Sequence, residues 1–315
     1  MSVVTFEGKI LSNVKDMYKT ESGGILLNEA AEHHRNISDE LLEQALDEAK
    51  IKKEDIDIIS LSSGPGLPPC LVAGMEFAKK LAEELEIPLI PVNHLVSHLS
   101  IGLLTTEAKD PVFLLVTGAN TQVIALTGGK YRILGEALTI ALGNALDKFA
   151  RALDIGFPGG PEIERLAKQG EYVELPYVVK GMDVELSGIV TSAVNKYNQG
   201  VKKEDLCFSL QETMFAMLTE VTERAVAFVD KKEVLLIGGV AANKRFIEML
   251  NVMCKERNAK LHAVPLEYSG DQAAQIAWQG ILQYDDNKNK YDNLKLEDID
   301  INPRWRIDQV ELDYL

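Results

Sequence analysis

Cysteine is scarce. Cys70, Cys207 and Cys254 are widely separated and odd in number, with no Cys-x-x-Cys pair, so neither a disulfide framework nor a sulfur-bound zinc is indicated. Long apolar runs are missing as well. No stretch approaches the ~20 residues of a membrane span, and Met1-Ser2-Val3-Val4 lacks the charged-then-apolar layout of a signal peptide. No membrane partner is expected, and a reducing cytoplasm is the expected compartment. Positive charge is in deficit too: 33 Lys and Arg stand against 48 Asp and Glu, for a net charge of −15 and a pI near 4.9. A chain this acidic repels polyanions as a whole, so any grip on nucleic acid needs a local basic face or a partner.

The chain has 315 residues, 46% of them hydrophobic, enough to bury a full core and to form two lobes. Asp55–Ser62 is a β-branched run leading into Gly64-Pro65-Gly66. Helical periodicity around Leu81–Leu85 follows, then a second apolar run at Ile87–Val92. Strand, loop, helix and strand in that order predict an α/β domain with functional loops after the strand ends. From Val112 three strand-like runs, Val112–Thr117, Gln122–Leu126 and Tyr131–Leu134, predict a meander that opens a second lobe. Helices are expected around Asn144–Leu153, Leu206–Val229, Phe246–Glu256 and Ala273–Gln283, with a strand at Val234–Ile237. The boundaries read as lobe I over 1–108, lobe II over 109–290, and a charged tail or closing strand over 291–315.

The stretch Val3–Leu11 repeats the strand, turn and strand rhythm of Val123–Tyr131. The lobes read as duplicated units on this pattern, though such hairpins are also common in unrelated chains. If they are duplicated, the first lobe begins at its second strand, without a counterpart of Val112–Asn120.

Two histidines, His94 and His98, stand four apart just after a strand. On a helix start both imidazoles share one face and can ligate one metal; the plainer reading is two polar-capped histidines of a half-buried helix. Leu95 stands where a zinc-protease pattern has its glutamate, which argues against metal-dependent peptide hydrolysis by that route. Glycine-bearing turns recur at strand ends: Gly64-Pro65-Gly66, Gly118-Ala119-Asn120, Gly159-Gly160 and Gly238–Asn243. Such turns let main-chain N–H groups reach a phosphate, and each is also simply a tight turn. Asp147 and Glu164 lie on predicted helices beside these turns, and Asp271 follows Gly270 at another helix start; a carboxylate there binds ribose hydroxyls or a metal, or is simply an N-cap or part of a solvated face.

Taken in order, EAAEHH (29–34), SSGPGL (62–67), VNHLVSH (92–98), GANTQV (118–123), GNALDKFAR (143–151), FPGGPEIE (157–164), LPYVVKGMD (175–183), LSGIVTS (186–192), SLQET (209–213) and GGVAAN (238–243) span nearly the whole chain. Together they resemble the archaeal and eukaryotic branch of the tRNA threonylcarbamoyltransferase family. The resemblance implies an α/β fold of the actin, sugar kinase and heat-shock chaperone type, with duplicated RNase H-like lobes and a metal and nucleotide cleft between them. It implies transfer of a threonylcarbamoyl group from threonylcarbamoyl-AMP to the adenosine beside the anticodon. It further implies assembly in a KEOPS complex with a kinase-like and a small dimer-forming subunit. The family's metal ligands fall on His94, His98 and Asp271, and iron is the metal it points to; zinc and manganese suit the same donors. Its substrate contacts fall on Leu115, Val116, Thr117, Gly118, Ala119, Asp147, Gly160, Glu164 and Asn243. Three departures stand out. Leu115 replaces a metal-ligating tyrosine, Gly270-Asp271-Gln272 replaces Arg-Asp-Asn, and the first strand is absent before Met1. They favour, as the alternative, a non-catalytic scaffold subunit of the same complex. Candidate tRNA contacts are Lys148, Arg151, Lys180 and Lys196.

Overall fold

A computed structural model describes residues 1–18, 26–156 and 158–312. Phe157, which opens the FPGGPEIE motif, lies outside them. Two compact units emerge: Met1–Leu104 together with Asp271–Leu315, and Thr105–Gly270.

The first unit opens with the antiparallel hairpin β1 (Ser2–Val4) and β2 (Ile10–Asn13), turned at Gly8, whose φ of 82° suits glycine. Helix α1 (Leu27–Ala49) follows, then β3 (Ile59–Gly64), α2 (Pro68–Leu85), β4 (Leu89–Asn93) and α3 (His94–Thr105). Strands β3 and β4 run parallel, as the crossover through α2 requires. Helix α3 is buried on all sides from Leu95 to Gly102, in keeping with its nearly unbroken apolar sequence.

The second unit is built on one five-stranded sheet. Strands β5 (Val112–Val116), β6 (Thr121–Thr127) and β7 (Lys130–Glu136) form the expected meander. Helices α4 (Leu142–Ala152) and α5 (Gly159–Ala167), the short hairpin of β8 (Val179–Lys180) and β9 (Asp183–Val184), and helices α6 (Ser187–Asn198) and α7 (Lys203–Val229) come next. Strand β10 (Glu233–Ile237), α8 (Lys244–Glu256), β11 (Lys260–Ala263) and the single turn α9 (Leu266–Ser269) complete the unit. The order across the sheet is β11-β10-β5-β6-β7, with β10 parallel to both β5 and β11. Central strand β5 is buried at all five residues, which explains its continuous Val-Phe-Leu-Leu-Val sequence. Amphipathic α4 buries Leu142, Ala145, Leu146, Phe149 and Ala150, a 3.6-residue stripe that joins the main core. Cys207 and Cys254 sit in the same core, where burial pushes their thiols up to about 12 and about 11, so both are inert packing residues.

The chain then returns to the first unit through α10 (Ala273–Asp286) and α11 (Lys288–Asp292). This corrects the boundary at residue 290. Helix α10 packs on β1, β3 and β4, and a Cβ on its Gly280 would come within 1.9 Å of Ser60 Oγ. Residues 291–312 are neither a loose tail nor a closing strand. Ile299, Ile307 and Val310 are buried, Asn302 N–H donates to Ser63 O at 2.7 Å, and Gly66 N–H donates to Pro303 O at 3.2 Å. Residues 313–315 lie outside the described residues.

Candidate active site

The histidine pair owes its geometry to the junction of β4 and α3. Asn93 ends the strand, and its Oδ1 accepts the N–H groups of Leu95 and Val96 at 2.9 and 3.1 Å, an N-cap that starts the helix at His94. Its Nδ2 donates to Trp305 O at 3.2 Å, which anchors the cap to the C-terminal segment. Sequence reasoning passed over Asn93, although an Asn directly before a helix is a capping signal. His94 and His98 are then one turn apart on one face, with Nε2 atoms 3.2 Å apart.

Asp271, just before α10, completes a triad within the first unit. Its Oδ1 lies 3.1 Å from His98 Nε2 and 3.4 Å from His94 Nε2. His98 is fully buried, His94 partly so, and Asp271 is open on its outer side. Hydrogen bonds to His94 and then to His98 hold the Asp271 carboxyl well below the usual carboxylate range. Burial, the larger influence, lowers the His98 pKa despite its bond to Asp271, so the imidazole is neutral near pH 7.

The donor set suits a cation. A neutral imidazole carries one proton, and no pair of tautomers satisfies all three contacts: with both protons on Nε2 the two histidines set N–H against N–H, and with either Nε2 bare its contact with Asp271 sets acceptor against acceptor. Atoms bound to one metal at ~2.0–2.2 Å lie roughly 3.0–3.5 Å apart, the spacing seen here. Leu115 lies in the other unit's sheet, fully buried on β5 and paired with Ile237 and Gln122; its side chain offers no ligand atom.

In the second unit the remaining candidates gather at the C-terminal ends of the parallel strands β5 and β10, where ligands bind in open α/β sheets. Leu115 and Val116 are interior strand residues, whereas Thr117-Gly118-Ala119-Asn120 form the turn beyond them. Thr117 N–H donates to Asn120 O at 2.8 Å, and Asn120 N–H donates to Thr117 Oγ1 at 3.0 Å. The start of α4 docks on this turn through Asn144 N–H to Gly118 O at 3.1 Å; a Cβ on Gly143 would meet Gly118 Cα at 2.8 Å. Across the sheet, Gly238 has a φ of 108°, and a Cβ there would meet Val116 O at 2.3 Å.

Three polar candidates tie the helix starts together. Asp147 Oδ1 accepts Gly159 N–H at 2.8 Å, which fixes α5 and with it Gly160. Glu164 Oε1 accepts Lys244 N–H at 3.1 Å. Asn243 caps α8 by accepting from Arg245 and Phe246 N–H at 3.0 and 3.1 Å, while its Nδ2 donates to Gln211 Oε1 at 2.9 Å. The capping role set beside the substrate role for these carboxylates is therefore present in the fold. The SLQET motif also finds a structural place, since Glu212 pairs bidentately with Arg245.

The family model of tRNA N6-adenosine threonylcarbamoyltransferase, TsaD, matches residues 9–278. The enzyme of that name from Methanopyrus kandleri is 50% identical over 315 residues, covering 98% of this chain and 91% of the relative. Its counterpart from Thermococcus kodakarensis is 48% identical over 314 residues, covering 99% and 95%. This chain belongs to the tRNA N6-adenosine threonylcarbamoyltransferase family.

A probable bifunctional tRNA threonylcarbamoyladenosine biosynthesis protein from Methanocaldococcus jannaschii is 46% identical over 316 residues. The match takes in all of this chain but 58% of that longer protein. Among solved structures, full-length HypF in its phosphate- and nucleotide-bound form aligns with a TM-score of 0.62 at 11% identity, over 81% of this chain and 50% of that one. The activator of 2-hydroxyisocaproyl-CoA dehydratase from Clostridium difficile, with bound ADPNP, aligns at 0.54 and 12% over 93% of both chains. These likenesses carry the fold alone, and it is the expected fold of the actin, sugar kinase and chaperone type.

Proposed function

We propose that this chain transfers the threonylcarbamoyl group of threonylcarbamoyl-AMP to N6 of the adenosine adjacent to the anticodon. The tRNAs are those that read codons beginning with adenine, and the setting is a KEOPS-type complex. The observation that carries the proposal is the convergence of His94, His98 and Asp271 on one acceptor-lined point, in a member of this transferase family.

In the transfer the N6 amine attacks the carbamoyl carbon. A C–N bond forms, the C–O bond to phosphate breaks, AMP departs and the amine gives up a proton. A divalent metal, iron by the family resemblance, supplies Lewis-acid polarisation of the carbonyl when bound. His94, His98 and Asp271 would hold it, with the open side of Asp271 facing solvent. In the second unit the Gly118 and Ala119 N–H groups make no hydrogen bond among the described residues. Beside them lies the N-terminus of α4, so the turn is suited to hold the AMP phosphate. No covalent enzyme nucleophile is needed, and the buried cysteines cannot serve as one. Because the chain is acidic, most electrostatic attraction for tRNA falls to its partners, the kinase-like and dimer-forming subunits.

The test is reconstitution with the adenylate-forming enzyme, the partner subunits and tRNA, read by nucleoside mass spectrometry. Modified nucleoside is expected, and its loss in the His94→Ala, His98→Ala double variant. If the parent chain is inactive in the full complex, the scaffold reading replaces this one; Leu115 in place of a ligating tyrosine is the observation that favours it.

A further inference from the structure

Each of the two helix starts that carry the triad has an amide side chain beside it. At α3 it is Asn93, next to His94, and its Oδ1 caps the helix in the ordinary way. At α10 it is Gln272, next to Asp271, and its role is different. Gln272 stands at the N-cap position with extended backbone, φ −159° and ψ 155°, yet its side chain accepts no N–H of the helix. Its Oε1 instead accepts from Asn13 Nδ2 at 3.2 Å, across 259 residues of sequence. Gln272 is buried, and its Nε2 lies 3.5 Å from Oε1 of the fully buried Gln275, one turn into the helix.

The place of this link in the chain gives it a consequence for the triad. Asp271 is the first residue of the segment that returns from the second unit to the first. Among the described residues its carboxylate bonds only to His94 and His98. A ligating carboxylate is ordinarily aimed by hydrogen bonds from an outer shell. Asp271 has none of its own, so its aim falls to its backbone. Gly270, Ala273 and Ala274 offer no polar side chain to hold that backbone, which leaves Gln272. The anchor at the other end is firm: Asn13 ends β2 and pairs in register with Ser2 of β1, and α10 packs on both strands.

We propose that Gln272, through Asn13, is a positioning residue for the metal site. The amide link holds Asp271 Oδ1 where the two imidazoles converge; without it the carboxylate leaves the ligand set while the histidines, fixed by Asn93, stay in place. The proposal rests on the reading of His94, His98 and Asp271 as metal ligands. It predicts weaker binding together with a changed ligand field, a combination that a general loosening of the fold does not give.

The test titrates cobalt(II), a spectroscopic substitute for iron(II), into the whole chain and follows its visible absorption bands. Gln272→Met, close in length but without the amide, and Asn13→Ala are each expected to weaken cobalt binding about tenfold or more. The double variant is expected to lose no more than either alone, since both remove one link. At saturating cobalt all three spectra are expected to move towards that of Asp271→Ala. Ser12→Ala is the control: it removes the hydroxyl that accepts Val3 N–H on the same strand, which loosens the hairpin without touching Gln272. Its melting temperature is expected to fall, with cobalt affinity and spectrum those of the parent. If Gln272→Met binds cobalt as the parent does, if the two losses add, or if Ser12→Ala weakens binding as much, the proposal is overturned and the metal site stands. A parent chain that takes up no cobalt, or binds it equally well with His94→Ala and His98→Ala, overturns the metal reading and this proposal with it.

Discussion

The triad of the first unit and the turns of the second treat polar groups in opposite ways. At His94, His98 and Asp271 the polar atoms face one another in contacts that no pair of neutral imidazole tautomers satisfies together, an arrangement that suits a cation. At the β5 and β10 ends the side chains of Asp147, Glu164 and Asn243 already accept main-chain N–H groups, and what stays free among the described residues is the pair of N–H groups of Gly118 and Ala119. On the proposed function the first site would bind through its side chains and the second through its main chain. Substitution should therefore separate them: ligand loss with an intact fold in one, a weakened fold in the other.

The sharpest separation is expected from His94→Ala with His98→Ala. Metal content should vanish and transfer should fall at least about 100-fold, since even outer-shell changes at metal sites cost ~10–100-fold. Adding iron(II) should raise the melting temperature of the parent chain and leave the double variant unmoved, because only a bound ligand stabilises the native state. Equal shifts in both would place the metal elsewhere. Next in size is Gly238→Ala. Its φ of 108° and the 2.3 Å approach to Val116 O leave no room for a methyl group, so a loss of about 2–4 kcal/mol is expected in denaturant unfolding. A loss below ~1 kcal/mol would mean that the β5 and β10 ends yield easily, and the contrast with the triad would weaken.

Much of this was legible in the sequence because the signals were local. The i, i+4 histidines after a strand, the meander from Val112 and the likeness of Val3–Leu11 to Val123–Tyr131 each rest on a few neighbouring residues. Asp271 was a different case. Its 173-residue separation from His98 leaves no trace in spacing: its place at a helix start marked it as one carboxylate candidate among several, and only the family resemblance joined it to the histidines. The return of α10 to the first unit was hidden for the same reason: its apolar stripe says that it packs, not on what. The C-terminal segment misled through its charge, because the few residues that bury it, Ile299, Ile307 and Val310, are spread thinly among acidic ones. The double use of Asn243, as cap and as partner of Gln211, likewise needed the fold.

That double use defines the next comparison. Asn243→Ala removes the cap of α8 and leaves Gln211 Oε1 buried without its donor, so a loss of about 1–2 kcal/mol is expected. Asn243→Asp keeps the acceptor for Arg245 and Phe246 N–H and loses only the Gln211 bond, and it should recover part of that loss. If Asp is as destabilising as Ala, the link to Gln211 outweighs the cap.

The smallest effect on stability is expected at Glu164, and it tests the idea that the second unit binds through its backbone. Glu164 is a carboxylate at the α8 N-terminus, bonded to Lys244 N–H at 3.1 Å. Glu164→Gln keeps an acceptor oxygen and removes the charge, so it should cost only about 0.3–1 kcal/mol, the value of a charge at a helix end. If Glu164 serves only the fold, kcat/KM for threonylcarbamoyl-AMP should change by no more than a few-fold. A fall beyond tenfold with stability nearly intact would make the carboxylate a substrate contact as well. The second site would then bind through a side chain after all, and the division between the two units would be one of degree.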